Sequence, residues 1–252
     1  MNQHLFTYLV RQGDRSLVLA QRLSQWLTNA HELEEEMALG NISLDLIGQT
    51  RALFTYAAQV EGQGRTEDDL AYFRSDREFT NPLLVEQPNG DFAVTMVRQF
   101  LHDSWAAAYW DLMRSSADPA LAAIAGKAVK ETAYHLRHAR SWVIRLGDGT
   151  DESHRRTQDA VDRLWRYTAE LFEVDEVETA LLESGVAADP VEMKKRWTES
   201  VEATLAEATL AIPDLAAAAF STGGRRGIHS ESFSYLIAEM QVVARAHPGA
   251  KW

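Results

Sequence analysis

KETAYHLRHARSW, residues 130–142, contains neither glycine nor proline and sets Glu131, His135, His138 and Trp142 at alternating four- and three-residue intervals. That is the spacing of one face of an α-helix, with ionisable side chains where a buried face would ordinarily be apolar. Outward from this stretch the same spacing runs back through Ala128 and Ile124 to Leu121 and forward to Arg145. Asp118-Pro119 offers a cap followed by a proline at the first helical position, and Gly147 and Gly149 close the segment. The spacing predicts a helix over 119–146, about 28 residues and about 42 Å long.

The rest of the chain reads in the same way. Only 6 Pro and 14 Gly punctuate 252 residues, and most of them separate long stretches rich in Ala, Leu, Glu and Arg. A first helix is predicted from Phe6 to Leu27, with Leu17, Ala20, Leu23 and Leu27 in step, and Thr28–Asn29 as the cap of the next. Glu32, Glu34, Glu35 and Glu36 crowd the start of that second helix, where the macrodipole favours negative charge, and it runs to Ala58 before Gly62 and Gly64. A short helix near Glu67–Phe73, a third long helix from Asp91 to Arg114 and a fifth helix over Glu152–Phe172 follow. A short helix at Glu176–Glu183 comes next. Asp189-Pro190-Val191-Glu192 has capping-box spacing and opens a sixth helix to Leu210, and a last helix occupies Ser230–Arg245. No fixed-period repeat, low-complexity tract or long linker divides the chain, so a single all-helical domain over 1–252 is expected.

Long helices joined by short turns bury one seam each, and the seams carry the functional question. The third helix places Phe92, Met96, Phe100, Asp103, Ala107 and Trp110 in one row. The second sets a small and polar face of Ala38, Asn41, Asp45, Gly48 and Ala52 beside a leucine face of Leu39, Ile42, Leu46 and Leu53. An unpaired carboxylate at mid-seam costs several kcal/mol, so something must compensate Asp45, Asp103 and Glu131. Carboxylates and histidines in the middle of long helices are what a ferritin-like di-iron bundle presents. That template asks for one Glu from each of two helices and Glu-x-x-His from each of the other two. Here Asp45-Leu46-Ile47-Gly48 ends on glycine, Glu131-Thr132-Ala133-Tyr134 ends on tyrosine, and the first helix has no acid between Asp14 and Glu32. Two readings stand. Asp45, Asp103, Glu131, His135 and His138 are a vestigial polar core, with Lys130 or Arg137 as candidate partners, or they are a non-standard ligand set of a di-metal oxidase or oxygenase.

Composition removes other classes. Asp and Glu total 37 against 25 Lys and Arg, a formal net charge of −12, which opposes binding to duplex nucleic acid or an anionic membrane. Zero cysteine removes disulfides, iron–sulfur clusters and thiol nucleophiles. The N-terminus lacks the pattern of a signal peptide, and no apolar run approaches the roughly 18 residues of a bilayer span, so a soluble cytoplasmic chain is expected. The loop containing Gly223, Gly224, Arg225 and Arg226 offers backbone amides and arginines for a phosphate or coenzyme A pyrophosphate, or is a plain connector.

Five segments carry a family resemblance: LGNISLDLIGQ (Leu39–Gln49), LLVEQPNG (Leu83–Gly90), KETAYHLRHARSW (Lys130–Trp142), LWRYTAELF (Leu164–Phe172) and TGGRRGIHSESFSYLIAEMQVVARAHPGAKW (Thr222–Trp252). Together they resemble the C-type subunits of the phenylacetyl-coenzyme A epoxidases, the multicomponent ring-epoxidising monooxygenases of bacterial phenylacetate degradation. The resemblance implies an all-α, ferritin-like long-helix bundle with additional C-terminal helices. It implies a tight complex with a homologous catalytic partner, the A-type subunit, which carries the di-iron centre and binds phenylacetyl-CoA. It also implies that this chain holds no catalytic residue, metal or cofactor and acts as a scaffold, with electrons delivered by a separate reductase. A homo-oligomer is the assembly expected of the chain alone.

Overall fold

Acidic caps, prolines and glycines divide the chain into ten α-helices, with no strand, among the residues that the computed structural model describes, 2–216 and 219–250. These helices belong to two compact units, Met1–Pro88 with Gly223–Trp252, and Asn89–Thr222. The chain enters the first unit through α1 (Asn2–Ser24), α2 (Leu33–Glu61), α3 (Glu67–Tyr72) and α4 (Leu83–Glu86). It then builds the second from α5 (Phe92–Met113), α6 (Pro119–Gly147), α7 (Asp151–Trp165), α8 (Glu176–Glu183) and α9 (Pro190–Glu207), and returns to the first as α10 (Glu231–Ala246).

In the first unit α1 and α2 run antiparallel, as two buried hydroxyls show: Ser43 donates to the Ala20 carbonyl at 2.9 Å and Thr50 to that of Gly13 at 3.3 Å. A Cβ at Gly13 would overlap the Phe54 ring, so glycine sets how closely the two helices approach. The leucine face of α2, Leu39, Ile42, Leu46 and Leu53, is buried as its spacing predicts. The first helix stops at Ser24, not Leu27: Thr28 adopts a φ of 73°, and Leu27 lies outside the helix with 44% of its surface exposed. The α2 N-cap is Glu32, without a side-chain bond, and not Thr28 or Asn29. The last helix is held on the α3 end of this unit, where Gln241 donates to the Ala71 and Arg74 carbonyls at 3.2 and 2.9 Å.

In the second unit α5 is central. Every residue from Ala93 to Ala106 is buried, and α6, α7 and α9 pack around it. A four-helix neighbourhood of this kind buries a helix on all sides, so its sequence shows little amphipathicity. Phe92 meets Trp142 edge to face at 5.0 Å, which places the start of α5 beside the end of α6. Asp118 caps α6 through the Ala120 and Leu121 amides, with Pro119 at its first position. The predicted fifth helix is shorter than its spacing suggests, ending at Trp165 in a turn closed by Thr168, with a separate 3-10 turn over Ala169–Phe172. Asp189 caps α9 through Val191, but Glu192 does not complete a capping box because its carboxylate binds Arg196 at 2.7 Å.

Candidate functional site

In the second unit the seam residues of the long helices separate into buried and bordering positions. Asp103 and His135 are fully buried, at 0% and 1% exposure, whereas Glu131 and His138 are half-buried. The buried stripe of α6 is Leu121, Ala125, Ala128, Thr132, His135, Ala139 and Val143. It is rotated from the row predicted through Ile124, Glu131, His138, Trp142 and Arg145, and Arg145 is exposed. Leu121, Ala128 and His135 of the row read from the sequence are thus buried, while Ile124, Glu131, His138 and Trp142 border the seam, whose remaining buried positions include the small residues Ala125, Thr132 and Ala139. Glu131 pairs with Lys127 one turn back at 3.3 Å, while Arg137 lies over the Tyr134 ring.

Asp103 is compensated within its own helix. Gln99 donates its amide to both carboxylate oxygens at 2.9 Å, and His102 Nδ1 meets Oδ1 at 2.9 Å. His102, 2% exposed, is the member of this network that the three- and four-residue spacing missed. Successive helical residues point apart, so a row read at that spacing passes over a neighbour that bends back. The i, i+4 relation of Gln99 to Asp103 was visible in the sequence and is the signal that could have found it.

In the first unit Asp45 is half-buried on the small and polar face of α2, where none of Ala38, Asn41, Asp45, Gly48 and Ala52 is buried. The acid at the core of this unit is Asp14, with no exposure, which accepts a two-armed ion pair from Arg74 and two hydrogen bonds from Thr80 at 2.8 and 3.0 Å. The Arg74 guanidinium lies over the Phe79 ring at 4.1 Å. Such a pair, desolvated but fully hydrogen-bonded, is satisfied without a metal.

A second buried centre in this unit was not foreseen. Glu86, with no exposure, accepts from Asn81 Nδ2 at 3.0 Å, from His229 Nδ1 at 2.7 Å and from the Ser230 amide at 2.6 Å. His229 Nε2 donates to the Phe79 carbonyl at 2.9 Å, so both ring nitrogens serve as donors. Burial opposes a charged ring here. The hydrogen bond and charge of Glu86, with the Phe79 carbonyl, outweigh burial and raise the His229 pKa above its ordinary 6.5. The segments LLVEQPNG and GGRRGIHSES thus meet through Glu86 and His229 and fasten the C-terminal segment to α4.

The same contact explains the glycine-rich loop. A Cβ at Gly224 would collide with the Asn81 carbonyl, and one at Gly227, where φ is 71°, with the Arg77 carbonyl. The amides of Arg226, Gly227 and Ile228 donate to the loop's own carbonyls at Gly223 and Gly224. Gly223, Gly224 and Arg225 are buried and only Arg226 is exposed. The amides of Arg226, Gly227 and Ile228 are thus occupied within the loop and leave an anion at Gly223, Gly224, Arg225 and Arg226 fewer backbone donors, while the glycines let backbone pack on backbone.

A di-metal centre needs bridging carboxylates with free oxygens and an imidazole for each ion. Gly48 and Tyr134 supply neither, the Asp103 oxygens are taken by Gln99 and His102, and Asp14 is held by Arg74. Among the described residues no group of three or more His, Asp or Glu converges as a metal site, so these residues do not fit a di-metal centre. No helix among them is long and apolar enough to cross a membrane.

Long α-helices with polar residues at mid-helix define a ferritin-like helical protein. A solved structure, a protein with aldehyde deformylating oxidase activity from Synechococcus, matches this fold with a TM-score of 0.59 at 17% identity, over 82% of this chain and 92% of that one. The phenylacetic acid catabolic protein family matches residues 1–252, and the chain belongs to it. It is 49% identical over 252 residues, the full length of both chains, to the C-type subunit of the 1,2-phenylacetyl-CoA epoxidase of Escherichia coli strain K12.

Proposed function

We propose that this chain is the non-catalytic structural subunit of a multicomponent phenylacetyl-CoA epoxidase, a cytoplasmic enzyme of phenylacetate catabolism. It pairs with a homologous subunit whose di-iron centre supplies oxygen activation for epoxidation of the aromatic ring. The full-length likeness to the C-type subunit of such an epoxidase carries this reading. The ligand positions support it, since glycine and tyrosine stand where histidines are required and the Asp103 oxygens are hydrogen-bonded within its own helix. In this view Asp45, Asp103, Glu131, His135 and His138 are what remains of a ligand set, now serving packing and solvation.

The contact surface is on α2 and not on α5. The third long helix, α5, is buried from Ala93 to Ala106 and has no face to give over that length. Leu33, Met37, Leu44 and Ile47 of α2 are exposed by 67, 60, 66 and 45%. At 3.6 residues per turn they lie within an arc of about 80°. Obligate partners cover apolar rows of this kind.

Co-expression with the homologous subunit, affinity purification through this chain and iron analysis of each component test the reading. A stable complex whose iron travels with the partner is expected. Near-stoichiometric iron and oxygen consumption by this chain alone would overturn it and restore the di-metal oxidase.

A further inference from the structure

The second unit contains a cleft of about 970 Å³ between α9, the 3-10 turn at Ala169–Phe172 and the segment carrying Ile212 and Phe220. Its size is that of a small-molecule site. The wall is aromatic and already set. Trp197 donates its indole N–H to the Leu101 carbonyl at 2.9 Å, Trp165 lies 5.6 Å from it, and Phe172 meets it edge to face at 5.4 Å. An indole anchored this way needs no reordering to receive a flat apolar group. Val174, Val191 and Ile212 expose apolar surface at the rim.

The charges around the cleft are unevenly placed. The sequence has five lysines, and two of them, Lys194 and Lys195, line this cleft side by side. Both are exposed, and among the described residues neither has an ion pair or hydrogen bond, whereas the adjacent Arg196 is held by Glu192 and Asp111. They sit in the second turn of α9. Three carboxylates also line the cleft, Glu199 and Glu202 one to two turns further along the same helix and Glu173 beside Phe172, so among the described residues the two lysines form its one cationic end. An anionic group therefore finds its complement at the Lys194–Lys195 end, with the aromatic wall beside it.

We propose that this cleft binds an aromatic ring carried on an anionic tail, the ring against Trp165, Trp197 and Phe172 and the tail at Lys194 and Lys195. The inference rests on the epoxidase reading only for the choice of probes. An aryl acid and its coenzyme A thioester share this chemistry.

Titration of the full chain with phenylacetate, phenylacetyl-CoA and coenzyme A, read by tryptophan fluorescence and calorimetry, tests the site. Saturable one-to-one binding of phenylacetate or of phenylacetyl-CoA is expected, and the tighter of the two identifies the tail. Lys194→Glu with Lys195→Glu, both at exposed positions, and Thr198→Phe, which fills the cleft, should each weaken it at least tenfold at an unchanged melting temperature. Absence of binding by both aryl probes would overturn the proposal. So would coenzyme A binding as tightly as its thioester, or undiminished binding in both variants. Complex formation with the homologous subunit is scored separately, so loss of ligand binding with an intact complex refutes the cleft and leaves the proposed function standing.

Discussion

His229 is a buried residue whose charge is useful to the fold, and that makes a pH dependence. Its pKa is raised because Glu86 and the Phe79 carbonyl overcome the cost of burial. The stability this gives is complete below about pH 6.5, the unfolded value, and is lost as pH rises through the higher folded value. Thermal unfolding across that window should therefore show the melting temperature falling with rising pH. In Glu86→Gln the carboxylate is gone and burial, the largest influence on the ring, is opposed only by the Phe79 carbonyl and the charge of Asp14, so the slope should reverse and stability be lost on acidification. Breaking the pair should also cost about 1–3 kcal/mol at neutral pH, the usual penalty for buried donors, here those of Asn81, His229 and Ser230, that lose an acceptor. Asp103→Ala strands the Gln99 and His102 donors in the same manner. A loss of about 2–4 kcal/mol in denaturant unfolding is expected, with no change in the iron content of the purified chain.

Helices and loops show where the sequence was legible and where it was not. Gly224→Ala should cost about 2 kcal/mol or more, since its Cβ meets backbone that cannot step aside. Gly126→Ala, at a position in α6 with nothing within 4 Å, should be neutral or stabilise by about 0.5–1 kcal/mol. Denaturant midpoints of the two variants against the parent check both. Nothing in the sequence separates these glycines by kind, because the contact that constrains Gly224 comes from Asn81, far along the chain. The long helices, their caps at Asp91, Asp118 and Asp189 and the leucine face of α2 were all readable, since each rests on local spacing. The rotation of the α6 seam was not. Its buried members Ala125, Thr132 and Ala139 are small and carry little hydrophobic signal, while the ionisable neighbours drew the row toward the border. The early end of α7 has the same character: Thr168 closes the turn on Trp165, and Trp105 binds the Leu171 carbonyl at 3.0 Å, contacts that helical spacing does not report. At the site, missing ligands at Gly48 and Tyr134 were legible, whereas the Glu86–His229 centre depends on residues 143 positions apart.

The exposed row on α2 tests the whole molecule's role. A net charge of −12 favours repulsion between copies of the chain, and an apolar stripe of Leu33, Met37, Leu44 and Ile47 runs against that tendency. The opposite face of the same helix is already spent on Leu39, Ile42, Leu46 and Leu53, so the stripe contributes nothing to folding and is available for assembly. Leu44→Glu and Ile47→Glu should then leave the melting temperature of the chain alone within a degree or two, because neither side chain is part of the core. The double variant should lower recovery of the proposed catalytic partner in co-purification at least tenfold, since a carboxylate buried opposite an apolar surface costs far more than the lost contact. Substitution of Arg155→Glu, on the exposed face of α7 in the second unit, should have no such effect, because it only exchanges a surface ion pair with Glu152 and Asp159. Equal recovery by the α2 variant and the parent would show that the complex forms through another surface, and an α2 variant that unfolded alone would show the stripe to be structural.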